Sequence, residues 1–388
     1  MYNCTLIHYG EIALKGKNRP FFENILVKNI KEAIGEKTAI QKDFGRFYIL
    51  KKPSSQELRA ISCLFGISWS APALRIPPQI SNIKEALRIV SHKGTFAKAK
   101  SFAVRVTRAD KNFPLTSQEL EKEIGKLIRE KHQLKVDLIN PDLTIFIEIT
   151  SQNVFIYTQK YRGPGGLPAG SSGKAVVLFS GGLDSAVAAY LIGQRGCRVH
   201  LLHIHGLRSN QEIKKTKIVK MASILSQRYP GLKLTLIPYL EYYFATLNLP
   251  KKLIGQELVV FRRFITRCAA KLAKNTKSDA LVTGDSLGQV ASQTMENLKA
   301  VNLALQNDPQ MPIFRPLIGF SKKEITKIGN EIGLENLANQ KYKDCCSLIA
   351  KHPSTKANLR KIREIEEIIN LEELIKKSLA AGETVEIE

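Results

Sequence analysis

A short stretch near the middle of the chain constrains the fold more than any other part of the sequence. Residues 175–179 form an apolar run rich in β-branched side chains, which predicts a buried parallel strand, and the run ends at the turn Ser180-Gly181-Gly182. The small residues that follow Asp184 predict a helix lying close to a sheet. A strand that leads through a glycine turn into a helix N-terminus directs unpaired backbone N–H groups at one point. The stretch therefore predicts an anion site in an α/β domain.

Asp184 needs a separate explanation, because a carboxylate beside a phosphate site is repulsive unless it binds a metal or polarises a nucleophile. We therefore interpret it as a functional carboxylate. Gly181 and Gly182 lack a Cβ and let the backbone approach the anion closely. Neither G-x-x-x-x-G-K-[ST] nor G-x-G-x-x-G occurs in the sequence, so the site matches neither of these two common nucleotide motifs.

The charge of the chain predicts a polyanionic partner. The 388 residues, of which 44% are apolar, exceed one typical core and indicate two or three domains. Lys and Arg number 59 against 35 Asp and Glu, a formal charge of +24. Residues 1–174 hold 28 basic and 15 acidic side chains, so the excess is spread over both halves. This distribution favours a protein that contacts one large nucleic acid with several surfaces over a merely soluble surface.

Other sequence features bear on location and metals. No apolar run approaches the roughly 20 residues of a membrane span, and the N-terminus lacks the segments of a signal peptide, so we expect a cytoplasmic protein. Six cysteines without a C-x-x-C pair predict neither a disulfide framework nor a structural zinc or iron–sulfur site. The adjacent Cys345 and Cys346 lie between charged neighbours, which favours a reactive pair over two small packed residues.

The order of predicted elements divides the chain into three domains. Strand, helix, strand and helix over residues 1–75 predict a small α+β domain of the ferredoxin-like kind, which ends near the Pro77-Pro78 pair. Residues 76–165 form a second α+β unit, with a helix predicted over residues 117–132. Residues 166–388 form the third domain, which alternates in α/β fashion to about residue 333 around a parallel sheet with strands predicted at residues 175–179, 199–205, 232–238 and 279–283. The Gly- and Pro-rich residues 161–174 form either a linker or a loop shaped around a ligand. In the second unit Thr107, Arg108 and Lys111 are either phosphate contacts or a solvated loop.

Candidate ligand contacts lie where predicted strands end, because ligands of open parallel sheets collect at the carboxyl ends of the strands. Residues 283–289 follow one such strand, and His203 and His205 end another. A histidine in a strand is more often packed than ligating, so we expect a backbone contact near His203 and Ile204. Arg262, on a predicted helix, either meets a phosphate or is solvated.

Several segments carry a resemblance to a known family. The loop Ser180-Gly181-Gly182-Leu183-Asp184-Ser185 resembles the PP-loop of N-type ATP pyrophosphatases. The chain as a whole resembles the ThiI-type tRNA sulfurtransferase family, the tRNA 4-thiouridine synthetases. The resemblance rests on four segments in order, YGEIALKGKNR at 9–19, GGLPAG at 165–170, TGDSLGQVASQT at 283–294 and CSLIAKHP at 346–353.

The resemblance implies an N-terminal ferredoxin-like domain, a THUMP domain that binds tRNA, and a PP-loop domain. It also implies an ATP-dependent transfer of sulfur to tRNA that gives 4-thiouridine at position 8. In that reaction uridine O4 is adenylated, a cysteine persulfide attacks C4, and AMP leaves. ATP with Mg²⁺ and tRNA are the implied ligands, and a cysteine desulfurase or another persulfide donor is the implied protein partner. The sequence leaves the oligomeric state open, with a homodimer as one option.

Site residues are carried over by matching motif. Asp184 would serve the activation step and Cys346 would carry the sulfur. The nucleotide contacts implied are Leu178, Phe179, Ser180, Gly181, Gly182, Ser185, His203, Ile204, Arg262, Gly284 and Gln293.

Two departures from the family and three competing interpretations remain open at this point. The family generally has one cysteine, at the position of Cys346, so a role of Cys345 in resolving or sharing the persulfide is left open. Many members continue into a rhodanese domain that is linked to thiamine thiazole synthesis, whereas this chain stops after one more predicted helix. The alternatives are another adenylating PP-loop enzyme that modifies tRNA, an enzyme that transfers sulfur to a sulfur carrier protein for thiamine thiazole synthesis, and a catalytically silent RNA-binding protein.

Overall fold

The computed structural model describes residues 2–91, 96, 99–306, 308–342, 345, 349 and 354–387. The chain forms two compact units, Met1–Gly166 and Leu167–Glu388. No helix within the described residues is both long enough and apolar enough to cross a membrane.

The first unit is built on one mixed sheet with helices against it. Its elements are β1 (Cys4–Tyr9), a 3₁₀ segment (Glu11–Asn18), α1 (Arg19–Ile34), β2 (Ile40–Asp43), β3 (Arg46–Ile49), α2 (Ser55–Cys63), β4 (Ile67–Ile76), α3 (Ile80–Ser91), β5 (Ser101–Arg108), α4 (Ser117–His132), β6 (Lys135–Val136), β7 (Leu143–Ile149), β8 (Val154–Tyr157) and β9 (Tyr161–Arg162). Among the described residues the strand order is β2-β3-β1-β4-β8-β7-β5-β6, with β9 also on β4.

Strand β4 joins the two halves of this sheet. Its residues from Ile67 to Ala73 pair with β1, and Leu74, Arg75 and Ile76 pair with β8. The sequence did not predict this strand, because its small residues and Pro72 have low strand propensity. One sheet therefore runs through the boundary predicted at residues 75/76, and the division into two domains stays a prediction.

Two local predictions in the first unit change. The second strand predicted in residues 1–75 is β3, and it is preceded by β2, which the sequence did not predict, with Phe44 and Gly45 in the turn between them at positive φ. Thr107 and Arg108 lie in β5 instead of a basic loop. The Arg108 guanidinium donates to the carbonyl oxygens of Phe113 (3.1 Å) and Leu115 (2.7 Å), so it stabilises the turn into α4.

The second unit contains the predicted parallel sheet. Its elements are β10 (Lys174–Leu178), α5 (Leu183–Gln194), β11 (Arg198–His205), α6 (Asn210–Ile213), α7 (Lys217–Ser226), β12 (Lys233–Pro238), α8 (Leu240–Thr246), α9 (Glu257–Thr276), β13 (Ala280–Val282), α10 (Met295–Asn302), β14 (Ile313–Phe314), α11 (Lys322–Glu331), α12 (Glu335–Ala338), α13 (Leu359–Ile368), α14 (Leu371–Ala380) and β15 (Glu383–Glu386). Short 3₁₀ segments cover Lys251–Leu253, Ala291–Gln293 and Leu303–Leu305.

The order of this sheet is β14-β13-β10-β11-β12-β15, parallel except for β15, which pairs antiparallel with β12. The four strands predicted for this domain are β10 to β13. The sequence did not predict β15, because the polar residues of an edge strand lack an apolar pattern. Helix α9 packs its apolar face, including Phe264 and Cys268, into the core beside β10 and β13.

Backbone hydrogen bonds order the Gly- and Pro-rich segment. In the first unit Gly163 N donates to Ser68 O (2.8 Å), and a Cβ on Gly163 would lie 2.3 Å from Ile67 O. In the second unit Leu167 N donates to Gln194 O (2.9 Å). The start of the segment is therefore bonded to the first unit, and the part from Leu167 onward is bonded to the second unit.

Candidate active site

The loop between β10 and α5 has the shape that its sequence predicts. Gly181 has a φ of +79°, and a Cβ there would lie 2.1 Å from Cδ1 of Ile218. The hydroxyl of Ser185 donates to Gly182 O (3.0 Å) and accepts from the Ser180 N–H (3.2 Å). The Ser180 hydroxyl in turn accepts from Gly182 N–H (3.3 Å). The two serines hold the loop in a fixed conformation at the N-terminus of α5, where an anion is favoured.

The residue after β13 and Thr283 must be glycine. A Cβ on Gly284 would lie 2.7 Å from Ser185 N and 2.8 Å from the carbonyl carbon of Asp184. Both are backbone atoms of the first turn of α5, so they cannot move as a side chain would. The absence of a side chain at Gly284 therefore lets the chain after β13 lie directly against the loop that follows β10.

Asp184 has one charged and one neutral partner. Lys322, at the start of α11, places Nζ 2.6 Å from Oδ1 of Asp184. Gln289 donates its side-chain N–H to Oδ2 at 2.8 Å. The side chain of Asp184 is 22% exposed and that of Lys322 57%, so solvent reaches this carboxylate.

A second carboxylate, Asp285, is buried and is held by two arginines. Arg262 donates from Nη2 to Oδ1 (2.6 Å), and Arg315 donates from Nε to Oδ2 (3.2 Å). The Thr283 hydroxyl donates to Oδ2 at 2.7 Å. Arg262 also donates to Ser292 O, so its guanidinium is fixed on two sides. Neither Asp285 nor Arg315 was predicted from the sequence to have a role, although Asp285 lies inside residues 283–294, one of the segments that carry the resemblance.

These elements surround a cavity of about 260 Å³. Its apolar wall suits a flat heteroaromatic ring, and its polar end lies at the N-terminus of α5, which suits phosphates. The lining residues are Leu178, Phe179, Ser180, Asp184, Ser185, Leu202, Ile204, Phe261, Arg262, Ile265, Thr266, Thr283, Gly284, Asp285, Val290, Ser292, Gln293 and Cys345.

Most of the residues predicted to bind nucleotide or to react lie at this cavity. Nine of them line it, namely Leu178, Phe179, Ser180, Asp184, Ser185, Ile204, Arg262, Gly284 and Gln293. Gly181 and Gly182 shape the loop and are not part of the lining. His203 is not part of the lining either, and Cys346 lies outside the described residues. Their roles as ligand contacts stay predictions.

His203 is fully buried beside the cavity and joins two segments of the chain. Its Nδ1 lies 2.6 Å from Phe179 O, and its Nε2 lies 2.8 Å from the hydroxyl of Tyr342. Burial lowers the pKa of His203 to about 4, so the ring is neutral at pH 7. A carbonyl can only accept, so Nδ1 carries the proton and Nε2 accepts from Tyr342.

Cys345 brings the cysteine-bearing segment to the cavity. Its side chain is buried, lines the cavity, and donates from Sγ to Ile204 O at 3.5 Å. Within the described residues no three or more His, Cys, Asp and Glu side chains form a group that could hold a metal.

Three family models match the chain. The thiamine biosynthesis protein (ThiI) model matches residues 170–371, the THUMP domain model residues 79–159, and the ThiI ferredoxin-like domain model residues 4–70.

Curated relatives match over the full chain. A probable tRNA sulfurtransferase of Coxiella burnetii is 39% identical over 400 residues, which cover 100% of this chain and 100% of the relative. A probable tRNA sulfurtransferase of Acetivibrio thermocellus is 36% identical over 397 residues, which cover 100% of this chain and 99% of the relative.

Two solved structures are similar as well. The crystal structure of a 4-thiouridine synthetase in complex with RNA and bound ATP has a TM-score of 0.85 and 28% identity, with 100% of both chains covered. A Pyrococcus horikoshii protein has a TM-score of 0.63 and 24% identity over 86% of this chain and 100% of its own, a likeness of fold alone.

Proposed function

This chain belongs to the ThiI family, and from that premise we propose that it is a tRNA sulfurtransferase that uses ATP to make 4-thiouridine in tRNA. The observation that carries the proposal is the shared cavity. One cavity is lined by the ATP loop with Asp184 and by Cys345 of the cysteine-bearing segment. A site that activates a base and then delivers sulfur to it needs both components within reach of one substrate.

The family, the fold class and the enzyme class that the motifs predicted are confirmed by these relatives and by the match of all three family models. The 4-thiouridine synthetase structure was solved with ATP and RNA, which supports ATP and tRNA as ligands of this chain. The order of chemical steps and the residues that perform them are part of the proposal.

For the activation step we propose that the N-terminus of α5 binds the phosphates and that the apolar wall holds the adenine. Leu178, Phe179 and Ile204 belong to that wall, and Arg262 is oriented by Asp285. Uridine O4 attacks the α-phosphorus and pyrophosphate leaves. Asp184 has the position to orient the attacking group, because its carboxylate lies in the first turn of α5 and reaches solvent.

For the sulfur step we propose that Cys346 carries a persulfide. Its outer sulfur attacks C4, the C4–O4 bond breaks, and AMP leaves. A second thiol then cleaves the S–S bond, so that the sulfur stays on the base and a disulfide forms. The neighbouring Cys345 supports this placement, because it lines the same cavity as the ATP loop.

The described residues do not fit a Mg²⁺ ion held by the protein. Asp285 lies between two arginines, which leaves Asp184 as a single carboxylate at the loop, and one carboxylate is too few protein ligands for a Mg²⁺ ion held without ATP. Any Mg²⁺ would accompany the phosphates of ATP, and no step of the proposal depends on it.

The first unit is the proposed tRNA-binding part. Its THUMP and ferredoxin-like matches, the RNA in the related structure and the basic excess of residues 1–174 support this assignment. Binding through phosphates predicts an affinity that falls steeply with salt concentration. A cysteine desulfurase or another persulfide donor, a homodimer, a cytoplasmic location and a role in thiazole synthesis stay predictions.

The proposal is tested by incubating the full chain with unmodified tRNA, ATP, cysteine and a cysteine desulfurase. Mass spectrometry of the digested tRNA should detect 4-thiouridine, and sequencing of the modified tRNA should place it at position 8. Cys346→Ser should abolish 4-thiouridine while tRNA-dependent AMP formation persists, because the sulfur step follows activation.

Cys63→Ser is the matched control, since Cys63 lies in α2 of the first unit and is not one of the residues that line the cavity. A normal yield of 4-thiouridine from Cys346→Ser would contradict the sulfur role. A different modified nucleoside from the unaltered protein would favour another adenylating tRNA-modifying enzyme, and the absence of AMP formation would favour a silent RNA-binding protein.

A further inference from the structure

Residues 338–342, which we call the strap, lead toward the cysteine pair and are held by a buried lysine. Lys217, in the first turn of α7, donates from Nζ to Ala338 O (2.7 Å) and Gln340 O (2.9 Å). The same ammonium lies 5.8 Å from the centre of the Tyr342 ring. A buried charge of this kind is stable only where its donors are satisfied, so these contacts fix the path of the strap.

The end of the strap and the first cysteine are attached to consecutive residues of β11. The Tyr342 hydroxyl donates to Nε2 of His203, and the Cys345 thiol donates to the carbonyl of Ile204. The strand therefore holds the chain on both sides of residues 343–344. Tyr342 and His203 are 139 residues apart in sequence, so this attachment is a tertiary feature.

The same histidine also holds the base of the ATP loop. Its Nδ1–H donates to the carbonyl of Phe179, the residue before Ser180. The Tyr342 ring lies against the loop as well, since a Cβ on Gly181 would be 4.0 Å from its Cδ1. Loop and strap thus share one buried neutral imidazole. The His203 side chain has no chemical task in the proposed reaction.

We propose that His203 and Tyr342 are positioning residues that fix the cysteine-bearing segment against the ATP loop, so that the sulfur step can follow activation at the same cavity. The inference rests on the proposed function and adds to it separate roles for the backbone of β11 and for the His203 side chain. The backbone of β11 borders the nucleotide cavity, while the His203 side chain controls the approach of the sulfur-bearing segment. Neither residue touches the reacting atoms in this scheme.

Three single variants separate the two hydrogen bonds of His203. Tyr342→Phe removes only the hydroxyl. His203→Asn keeps a donor near the position of Nδ1 and loses the contact with Tyr342, whereas His203→Gln keeps a polar group near Nε2. His200→Asn is the matched control, since His200 lies on the same strand, is also buried, and bonds to Thr235 (2.7 Å).

Two rates are measured for each full-length variant under single-turnover conditions, tRNA-dependent AMP formation and 4-thiouridine formation. Loss of a hydrogen bond worth about 1 kcal/mol corresponds to roughly a fivefold change. We expect Tyr342→Phe and His203→Asn to slow 4-thiouridine formation by about fivefold to tenfold and AMP formation by less than twofold. His203→Gln keeps the contact with Tyr342 and loses the hydrogen bond to Phe179 O, so its 4-thiouridine formation should fall less than that of His203→Asn. His200→Asn should stay near the unaltered protein. An equal loss of both rates in Tyr342→Phe would show general destabilisation and overturn the proposal.

A readout that does not need the activity distinguishes this proposal from the proposed function. The alkylation rate of Cys345 by iodoacetamide, followed by peptide mass spectrometry without tRNA or ATP, reports how firmly the segment is held. We expect it to rise about fivefold or more in Tyr342→Phe and not in His200→Asn. An unchanged rate contradicts the attachment, whether or not the protein makes 4-thiouridine. A raised rate in a chain that makes no 4-thiouridine would retain the attachment and refute the proposed function.

Discussion

Two carboxylates border the same cavity, and their surroundings differ in nearly every physical respect. Asp184 opens α5 and pairs with Lys322, whose side chain is 57% exposed. Asp285 is 6% exposed and lies between the guanidinium groups of Arg262 and Arg315. An exposed pair contributes little because water competes for both charges, whereas a buried charge that loses its partner is strongly destabilising.

The difference separates the proposed reacting region, around Asp184, from a supporting region, around Asp285. Asp184 can exchange a weak partner for a substrate group without a cost to the fold. Asp285 cannot do so, since its removal leaves two largely covered arginines, 11% and 13% exposed, without their shared counter-ion. The cavity is therefore rigid on the wall formed by α9 and the segment after β13, and adaptable at the mouth of the loop.

Asp285→Asn should produce the largest effect and would break the supporting region. The amide keeps the shape and still accepts from Thr283, but it removes the charge that compensates Arg262 and Arg315. We expect a loss of about 3–5 kcal/mol in the free energy of unfolding of the second unit. Urea denaturation of the full chain, followed by hydrogen exchange of peptides from α9 and β13, measures it.

Asp308→Asn is the control, because Asp308 pairs with Lys274 at the surface and its loss should cost less than about 1 kcal/mol. Equal stability losses in the two variants would remove the distinction between a buried and an exposed carboxylate.

Asp184→Asn tests the reacting region. The substitution preserves shape and removes the negative charge at the loop. We expect tRNA-dependent AMP formation to fall at least about a hundredfold, or about 2.7 kcal/mol in activation free energy. The urea midpoint should shift by less than the equivalent of about 1 kcal/mol, because the partner is exposed.

The assay is AMP release from ATP in the presence of tRNA, with tRNA affinity measured in parallel. Affinity for tRNA should not change, since the proposed tRNA contacts lie in the first unit. If Asp184→Asn forms AMP at the normal rate, the carboxylate is structural and the contrast with Asp285 loses its meaning.

Gly284→Ala sharpens the comparison, because Gly284 is adjacent to Asp285 and touches the backbone of Asp184 and Ser185. The added Cβ has no room, so we expect a loss of about 1–3 kcal/mol in stability together with slower AMP formation. Gly319→Ala is a matched control, since nothing lies within 4 Å of the Cβ position there. A neutral Gly284→Ala would mean that the loop can shift, and the wall would then be less rigid than the contacts indicate.

The sequence predicted the features that depend on local pattern. The loop Ser180–Ser185, the strands β10 to β13 and the helix α4 were found because an apolar period, a glycine turn or a cap lies within a few neighbouring residues. The start of helix α4 has a local signal as well, since Thr116 and Glu119 form a reciprocal cap at its N-terminus.

Features that join distant residues were missed. The pair Arg315 and Asp285 and the contact of His203 with Tyr342 leave no periodic trace, because each partner alone reads as a solvated or packed residue. Strand β4 was missed for a different reason, since it is stabilised by neighbours on both sides and not by its own propensity. The motif resemblance proposed His203 as a nucleotide contact, and only the fold shows that its side chain bonds to Tyr342 of the strap.

Of these variants, Lys322→Gln should change the free energy of unfolding and the activity least, because it removes only the exposed partner of Asp184. The Lys322 end of the Asp184–Lys322 pair is 57% exposed, so we expect the free energy of unfolding to fall by about 0.2–1 kcal/mol at low salt. The change should shrink toward zero in 1 M salt, where the screening length is about 3 Å. Urea denaturation at both salt concentrations measures it. A loss above about 2 kcal/mol that persists at high salt would place Asp184 with the buried carboxylate, and the loop mouth would then be part of the rigid frame.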